Sequence, residues 1–243
     1  ILQCRNRSAT IEAIFDNFAK SIQDIKCFFI TNLLGFCDDI DTISDICLDY
    51  NILLLEDNCE SLGSEFKNRK LGNFGLAATF STFVGHHIST IEGGLVVTDD
   101  EELNINLLMS RAHGWSRNLP ENIKLKFKND HSVDDFNEPY TFYTLGFNLR
   151  PTELTGVLGN HELGYINETI KSRKNNFLVL LEASIHNNDL YHLDVNHMDL
   201  ISNFAFPILA KTKTVRNNLI KKFYKNNVEI RPLVAGSMVN QPF

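Results

Sequence analysis

Hydrophobic and polar residues recur along this chain with the two periods that are typical of helices and strands. The segment "ATIEAIFDNFAKSI" repeats apolar residues on one face between Ile11 and Ile22, which predicts an amphipathic helix. The apolar run "KCFFITN" predicts a buried strand, "DDIDTISDICLDY" predicts a second helix, and "NILLLED" predicts a second strand. A strand, a helix and a strand of these lengths indicate a βαβ unit with a parallel sheet.

The middle of the chain continues this pattern and then interrupts it. "SEFKNRKLGNFG" predicts a hairpin with Asn68 in its turn, and "LAATFSTF" and "GGLVVTDD" predict two further strands. A helix is predicted from about Glu101 to His113, whereas residues 114–143 are polar and predict a long irregular loop. A loop of this length in a compact domain is more often functional than idle. Helices resume at "PTELTGVLGNHEL" and "INETIKSRKNNFLVLLEAS".

The pattern changes after about Asn187. "NFAFPILA" predicts a strand, "TVRNNLIKKFYKN" a helix and "VEIRPLV" a strand, the order expected at the start of a smaller α/β domain. We therefore predict a large α/β domain with its connecting helix over residues 1–186 and an incomplete small domain over residues 187–243. The sequence lacks an initiator Met, and no strand or glycine loop precedes the first helix, so we expect a fragment truncated at both ends.

Composition narrows the functions that the chain can have. Its 243 residues are 43% hydrophobic, enough to bury a sizeable core. Acidic residues outnumber basic ones by 30 to 23, for a net charge of −7, which argues against nucleic-acid binding. The odd number of cysteines, without close pairs, argues against disulfides or a zinc site and suits a cytoplasmic protein. No apolar run reaches the roughly 20 residues of a membrane span, so no membrane association is predicted.

Acidic residues stand where the second predicted strand ends. "LLLEDNCES" places Glu56 and Asp57 at the carboxyl end of that strand and Glu60 just beyond it. Open α/β sheets bind their ligands at this edge. An aspartate there can pair with a protonated ring nitrogen and so help a bound cofactor to withdraw electrons. The alternative for Asp57 is a turn or helix-capping role.

A histidine follows the next predicted strand. His86 comes 29 residues after Asp57, beyond a strand that carries Ser81. A neutral imidazole suits general acid–base chemistry near neutral pH, although a packed or surface role is the alternative. The adjacent His87 should point in a different direction, so we expect no shared metal. The glycine pair after this loop predicts either close backbone approach or a bulge.

Basic and amide side chains surround the long loop. "RAHGWSRN" and "LGFNLRP" contain His113, Arg117, Asn148 and Arg150. Arginine pairs with phosphate through two parallel hydrogen bonds, which favours an anionic ligand. Surface salt bridges are the alternative for each of these residues.

Taken in order, "LLLEDNCES", "FSTFVGHHISTIEGG", "RAHGWSRN" and "YTLGFNLRP" resemble the DegT-type nucleotide-sugar aminotransferases. The resemblance extends from about Lys26 to Phe243. It implies a pyridoxal-phosphate protein of fold type I, a homodimer whose large domain is a three-layer α/β/α structure with a mixed, mostly parallel sheet. Within the family, histidine at the position of the Schiff-base lysine is typical of the 3-dehydratase branch, and His86 stands at that position.

The resemblance also implies a role for individual residues. His86 would act as acid and base in removing the C3 hydroxyl of a 4-keto-6-deoxy nucleotide sugar, in deoxysugar or O-antigen biosynthesis. The cofactor would be pyridoxal phosphate in its pyridoxamine form, with glutamate as amino donor. The implied cofactor-binding residues are Asp57, Glu60, Ser81 and Asn148, the last reaching the neighbouring subunit. The implied substrate-binding residues are His113, Arg117, Arg150 and Arg231.

The sequence also bears on an iron–sulphur cluster and on two alternatives to the 3-dehydratase function. Residues 116–145 contain no Cys, so an iron–sulphur cluster is not expected. An aminotransferase of the same family would need another lysine, and none lies between Lys70 and Lys124. A truncated paralogue that serves only as a binding or structural subunit is the other alternative. The family's phosphate-binding Gly/Ser turn and ring-stacking aromatic residue precede Ile1, so we expect this chain alone to be inactive.

Overall fold

The computed structural model describes residues 25–233 and residue 242; the first predicted helix lies outside the described residues. The described part begins with strand β1 (Cys27–Thr31), helix α1 (Ile40–Asp49) and strand β2 (Leu53–Asp57). The two strands pair in parallel, and α1 packs against them through a cluster of buried side chains. The apolar face of α1 supplies Ile43 and Cys47 to this cluster. The predicted βαβ unit is confirmed.

A short hairpin follows, formed by β3 (Glu65–Phe66) and β4 (Arg69–Lys70). Its two turn residues, Lys67 and Asn68, both have positive φ, at 48° and 59°, as a tight two-residue hairpin turn requires. Phe66 anchors the hairpin in a second hydrophobic cluster, beside α1. The predicted hairpin and its turn are confirmed.

Strands β5 (Ala77–Ser81) and β6 (Gly94–Val97) complete the main sheet, whose order is β1-β2-β5-β6. β5 runs parallel to β2, and β6 runs antiparallel to β5. The sheet is therefore mixed and mostly parallel, and the carboxyl ends of its three parallel strands meet at one edge. In the register, Asp57 lies opposite Thr79 at this edge.

The fully buried Glu56 fixes the loop that leads into β5. Its carboxylate accepts hydrogen bonds from the backbone N–H groups of Gly72 at 2.7 Å, Phe74 at 2.7 Å and Gly75 at 2.9 Å. A buried carboxylate is tolerated because these donors replace its lost water. Glu56 is therefore structural, whereas the next residue, Asp57, faces the opposite side of the sheet.

Four of the five remaining helices were predicted, with differences only at their ends, and the fifth, at Glu121–Asp130, was not. Each of three helices begins at a residue whose side chain accepts a hydrogen bond from its first turn. The helices are α2 (Glu101–Ser110), α3 (Glu121–Asp130), α4 (Glu153–Leu163), α5 (Ile166–Ile185) and α6 (Lys213–Lys225). No helix among residues 25–233 is long and apolar enough to cross a membrane.

The predicted irregular loop over residues 114–143 was wrong in part, because it contains α3 and a short 3₁₀ helix at Glu138–Tyr140. The half-buried residues of α3 are Ile123, Lys124, Phe127 and Lys128, and only Ile123 and Phe127 are apolar. Phe127 packs on the Tyr143 ring, with 5.2 Å between ring centres. Two apolar positions in a charged segment give too weak a period to predict a helix.

The two strands predicted after Asn187 were also wrong within the described residues. The segment of residues 203–210 was predicted as a strand, but its only ladder contact is an isolated bridge from Ala210 to Leu190. Pro207 interrupts the segment, and the backbone groups of the segment bond elsewhere. The N–H of Phe204, for example, donates to the carbonyl of Leu34 at 3.1 Å. Residues 228–233 have no neighbouring strand in the described part of the chain, so they do not form one. The division into domains at residues 186 and 187 stays a prediction.

Candidate active site

The loop that carries His86 is residues 82–93, between β5 and β6. The N–H of Thr82 donates to the carbonyl of Gly93 at 3.0 Å, and the N–H of Thr90 donates to the carbonyl of Thr82 at 2.8 Å. A Cβ added to Gly93 would lie 2.6 Å from the Thr82 hydroxyl. Gly93 therefore packs closely against the Thr82 side chain, and the backbone bonds join the two ends of the loop that carries His86.

The surroundings of His86 fix which of its ring nitrogens carries the proton. Nδ1 lies 2.5 Å from the carbonyl oxygen of Cys59, and because a carbonyl can only accept, Nδ1 must donate. The neutral ring then has its lone pair on Nε2. One side of the ring packs against Phe204, with 4.9 Å between ring centres. His86 is half-buried and lines an open cleft of about 1850 Å³, so Nε2 can act as a base.

The neighbouring His87 is buried and points away from this cleft. Its Nε2 donates to the carbonyl of Ser202 at 2.9 Å, and its Nδ1 has no hydrogen-bond partner. Burial, opposed by the bond to Ser202, lowers the pKa of His87 to about 4. His86 lines the cleft and His87 does not, so the two rings point in different directions, as predicted. No group of three or more metal-binding side chains occurs among residues 25–233.

Asp57 lies at the end of β2, half-buried, with its carboxylate held by three donors. Its Oδ1 accepts from the N–H of Cys59 at 3.1 Å and from the hydroxyl of Thr79 at 3.2 Å. The first bond is a turn contact, so the alternative role for Asp57 is present as well. Both bonds end on Oδ1, and the Cys59 thiol also hydrogen-bonds this carboxylate. A carboxylate has about four lone-pair sites, so one remains for an external donor such as a protonated ring nitrogen.

The thiol of Cys59 lies beside Asp57 and stays protonated. Burial, together with the Asp57 carboxylate, raises the pKa of Cys59 to about 11. This residue therefore adds no negative charge next to Asp57. Through its backbone, Cys59 connects the two functional side chains, since its N–H contacts Asp57 and its carbonyl contacts His86.

Ser81 ends β5 on the same face of the sheet as Asp57, because it stands two residues beyond Thr79. Its Oγ accepts from the N–H of Phe83 at 3.1 Å, so the hydroxyl hydrogen can donate to an anion. A carboxylate and a hydroxyl on one face suit an aromatic cofactor that has a ring nitrogen at one end and a phosphate at the other. These described residues fit pyridoxamine phosphate.

Glu60 and Arg231 line the same cleft as His86. Oε2 of Glu60 accepts from the N–H of Leu34 at 2.9 Å, and Oε1 lies 3.9 Å from the Arg231 guanidinium. That guanidinium also lies over the Phe204 ring, at 5.0 Å. The structure thus brings three predicted site residues to one cleft, one of them from the predicted small domain.

Asp57 and Ser81 do not line this cleft, and neither do the remaining four predicted residues, which gather around Trp115. The guanidinium of Arg117 lies 3.8 Å from the Trp115 ring centre and that of Arg150 lies 5.5 Å away, while the His113 ring lies at 4.9 Å. Nε of Arg150 donates to Oδ1 of Asn148 at 3.2 Å. Neither arginine forms a salt bridge with a described carboxylate, so the salt-bridge alternative is wrong for both.

Sequence reasoning missed several residues that shape the site. Phe204 packs on His86, Thr79 and Cys59 hold Asp57, and Arg173 donates to the His86 carbonyl at 3.5 Å. Arg173 and Phe204 stand in no motif. Trp115 was visible in "RAHGWSRN", where a lone tryptophan between basic residues is a signal for cation–π contacts.

Comparison with known proteins agrees with this geometry. A model described as the DegT/DnrJ/EryC1/StrS aminotransferase family matches residues 9–243. The chain is 38% identical over 234 residues to GDP-4-keto-6-deoxy-D-mannose 3-dehydratase of Escherichia coli O55:H7, covering 95% of this chain and 59% of that protein. The Yersinia pseudotuberculosis protein of the same name is 37% identical, with coverage of 95% and 58%. The chain thus spans less than two thirds of these relatives.

Solved structures show the same fold. GDP-4-keto-6-deoxymannose-3-dehydratase, as a mutant with bound GDP-perosamine, matches with a TM-score of 0.83 at 36% identity, covering 94% of this chain and 58% of that one. The E. coli enzyme with bound hydrated PLP gives 0.81 at 35% identity, with coverage of 96% and 58%. An aminotransferase of Helicobacter pylori gives 0.72 at 26%, with coverage of 90% and 56%. The predicted resemblance and fold are confirmed.

Proposed function

Because the chain belongs to the DegT/DnrJ/EryC1/StrS aminotransferase family, we propose that it removes the C3 hydroxyl of a 4-keto-6-deoxy nucleotide sugar. The observation that carries this proposal is His86, which presents Nε2 to a cleft, at the position where the family's aminotransferases would have the Schiff-base lysine. The similarity to two 3-dehydratases supports the choice of reaction.

Pyridoxamine phosphate, bound here, would supply an amine for the sugar ketone and a ring that withdraws electrons. Asp57 Oδ2 would accept the pyridine N–H and keep that nitrogen protonated. Ser81 would donate to the phosphate, and Glu60 would lie beside the ring. The relative that carries bound hydrated PLP supports this cofactor. The expectation that no iron–sulphur cluster takes part remains in the proposal.

His86 moves the proton in this mechanism. Its Nδ1–H bond to Cys59 keeps Nε2 free to take up a carbon-bound proton. The same Nε2, now an N–H donor, delivers a proton to the C3 hydroxyl, which leaves as water. Imidazole does not form the stable covalent link that a lysine amine makes with an aldehyde. A cofactor held here without that link would remain exchangeable, and glutamate would be its amino donor.

Basic residues would bind the sugar nucleotide. Nε of Arg117 donates to the carbonyl of Pro139 at 2.6 Å, and Nε of Arg150 is held by Asn148, so the terminal nitrogens of both arginines project for a ligand. Such planar groups suit a diphosphate. Arg231 in the cleft and His113 beside Trp115 would contact the rest of the substrate. A relative that binds GDP-perosamine supports a nucleotide-sugar ligand.

The proposal includes a homodimer. Three apolar side chains around Asn148 are highly exposed: Leu145 by 96%, Phe147 by 68% and Leu149 by 68%. Large apolar side chains as exposed as these are typical of a surface that another protein covers. A second copy placed there would bring Asn148 to its partner's cofactor. We further propose a cytoplasmic location, supported by the free thiols of Cys27 and Cys59.

The experiment is a product assay. The purified full-length protein is incubated with pyridoxal phosphate, glutamate and a GDP-linked 4-keto-6-deoxy sugar, and the sugar is analysed by mass spectrometry. We expect a 3-deoxy product, and none from His86→Asn, which keeps a polar side chain but has no basic nitrogen. A 4-amino sugar would show that the protein acts as an aminotransferase instead. Unchanged sugar would leave the non-catalytic alternative in place.

A further inference from the structure

Arg173, on α5, occupies an unusual environment for an arginine. It is half-buried and forms no salt bridge with any carboxylate of residues 25–233. Its guanidinium donates instead to three backbone carbonyls, those of Asn203 at 3.1 Å, Phe204 at 3.3 Å and His86 at 3.5 Å. Burial lowers the pKa of Arg173, and the three carbonyl dipoles are what stabilise its charge.

The three carbonyls belong to two segments that meet at His86. One is the loop of residues 82–93, and the other is residues 202–206, which contribute Phe204. The rings of Phe204 and His86 lie 4.9 Å apart with an angle of 38° between their planes. Leu34 holds the second segment from the far side, since its carbonyl accepts from the N–H of Phe204. Arg173 therefore ties the histidine loop to the ring against which the histidine packs.

We infer that Arg173 is a positioning residue, which holds His86 between the Cys59 carbonyl and the Phe204 ring with Nε2 toward the cleft. This inference rests on the proposed function, in which Nε2 takes up and returns the proton. Without the guanidinium, the two segments can separate and the His86 ring can turn away from Cys59. An imidazole released from that carbonyl can carry its proton on Nε2, and this tautomer cannot accept a proton there.

The tautomer of His86 can be measured without any turnover. ¹⁵N NMR spectra of histidine-labelled protein show which ring nitrogen is protonated, and His86→Asn identifies the signals. We expect only the Nδ1–H form in the native protein and a mixture of both forms in Arg173→Met. Since small misplacements cost up to about 100-fold in rate, kcat for dehydration should fall roughly 10- to 100-fold with KM little changed. Arg173→Lys keeps the charge but loses the several planar donors of the guanidinium, so its kcat should lie between those of Arg173→Met and the native protein.

The control is Lys171→Met, which removes an exposed cation from the same helix. If Arg173→Met does not fold, Arg173→Lys tests the same idea, because its single ammonium cannot reach all three carbonyls, and it should also mix the tautomers. A single Nδ1–H form in the folded variant, with kcat equal to that of Lys171→Met, would overturn the inference. Absence of dehydration by the native protein would contradict the proposed function instead, and the tautomer measurement would still decide the role of Arg173.

Discussion

The buried His87 should make the stability of this protein depend on pH. Its imidazole is 4% exposed, and burial is the largest cause of its low pKa, to which the nearby Arg173 charge also contributes. An unfolded histidine has a pKa of about 6.5. Between about pH 6.5 and about pH 4, His87 is therefore protonated in the unfolded chain but neutral in the native state. The free energy of unfolding therefore falls as the pH is lowered through this window.

The size of the effect follows from the separation of the two pKa values. One pKa unit corresponds to about 1.4 kcal/mol, so the full loss below pH 4 is roughly 3 kcal/mol, and about 2 kcal/mol of it is reached at pH 5. Above about pH 7 both states are neutral, and His87 adds no pH dependence. The effect is large against the usual stability of a domain, about 5–15 kcal/mol.

The assay compares the native protein with His87→Gln by urea unfolding at pH 8, 7, 6 and 5. Glutamine keeps an N–H donor for the Ser202 carbonyl but does not titrate. We expect the native protein to lose about 2 kcal/mol more than the variant between pH 8 and pH 5. His161→Gln is the control for removing an exposed imidazole. An equal pH dependence in the native protein and His87→Gln would refute the reasoning.

Three further predictions concern side chains that support the site. Glu56→Gln should lower the free energy of unfolding by roughly 3 kcal/mol in urea titrations, because an amide cannot accept three backbone N–H bonds as a carboxylate does. Gly93→Ala should lower stability by about 2 kcal/mol and reduce kcat, because φ is 151° there and the Cβ would meet Thr82. Thr79→Val should weaken binding of pyridoxal phosphate up to about tenfold in a fluorescence titration, because Asp57 loses a donor.

Each of these predictions has a matched control. Glu65→Gln changes a carboxylate outside this network, and a loss equal to that of Glu56→Gln would contradict the burial argument. Gly85→Ala tests positive φ alone, since nothing lies within 4 Å of its added Cβ; it should disturb stability less than Gly93→Ala. Thr79→Ser restores the hydroxyl and should restore affinity, so weak binding by both Thr79 variants would disprove the role of that hydrogen bond.

The parts of the fold that could be predicted from sequence are those with a strong period. The βαβ unit and the hairpin were read correctly because apolar residues and turn residues mark them locally. Helix α3 was missed because Ile123 and Phe127 are its only half-buried apolar residues. The segment around Pro207 looked like a strand, but its partners are side chains and a loop carbonyl that no local pattern reveals.

The residues of the candidate site likewise include some that could be predicted from sequence and some that could not. Asp57 and His86 could be found because each follows a predicted strand, and parallel strands bring their carboxyl ends together. Arg173 and Phe204 could not, because they come from a helix and an irregular segment that approach His86 only in the folded chain. The spacing of motifs also gave no indication that the residues around Trp115 form a cluster apart from the cleft.

The central claim is that His86 replaces a covalent anchor with a proton-transferring group. Its most direct test is to incubate the protein with pyridoxal phosphate, treat it with borohydride and weigh it by mass spectrometry, with His86→Lys as the positive control. The account predicts bound cofactor and no added mass in the native protein, and a covalent adduct in His86→Lys. An adduct on a lysine of the native protein would contradict it.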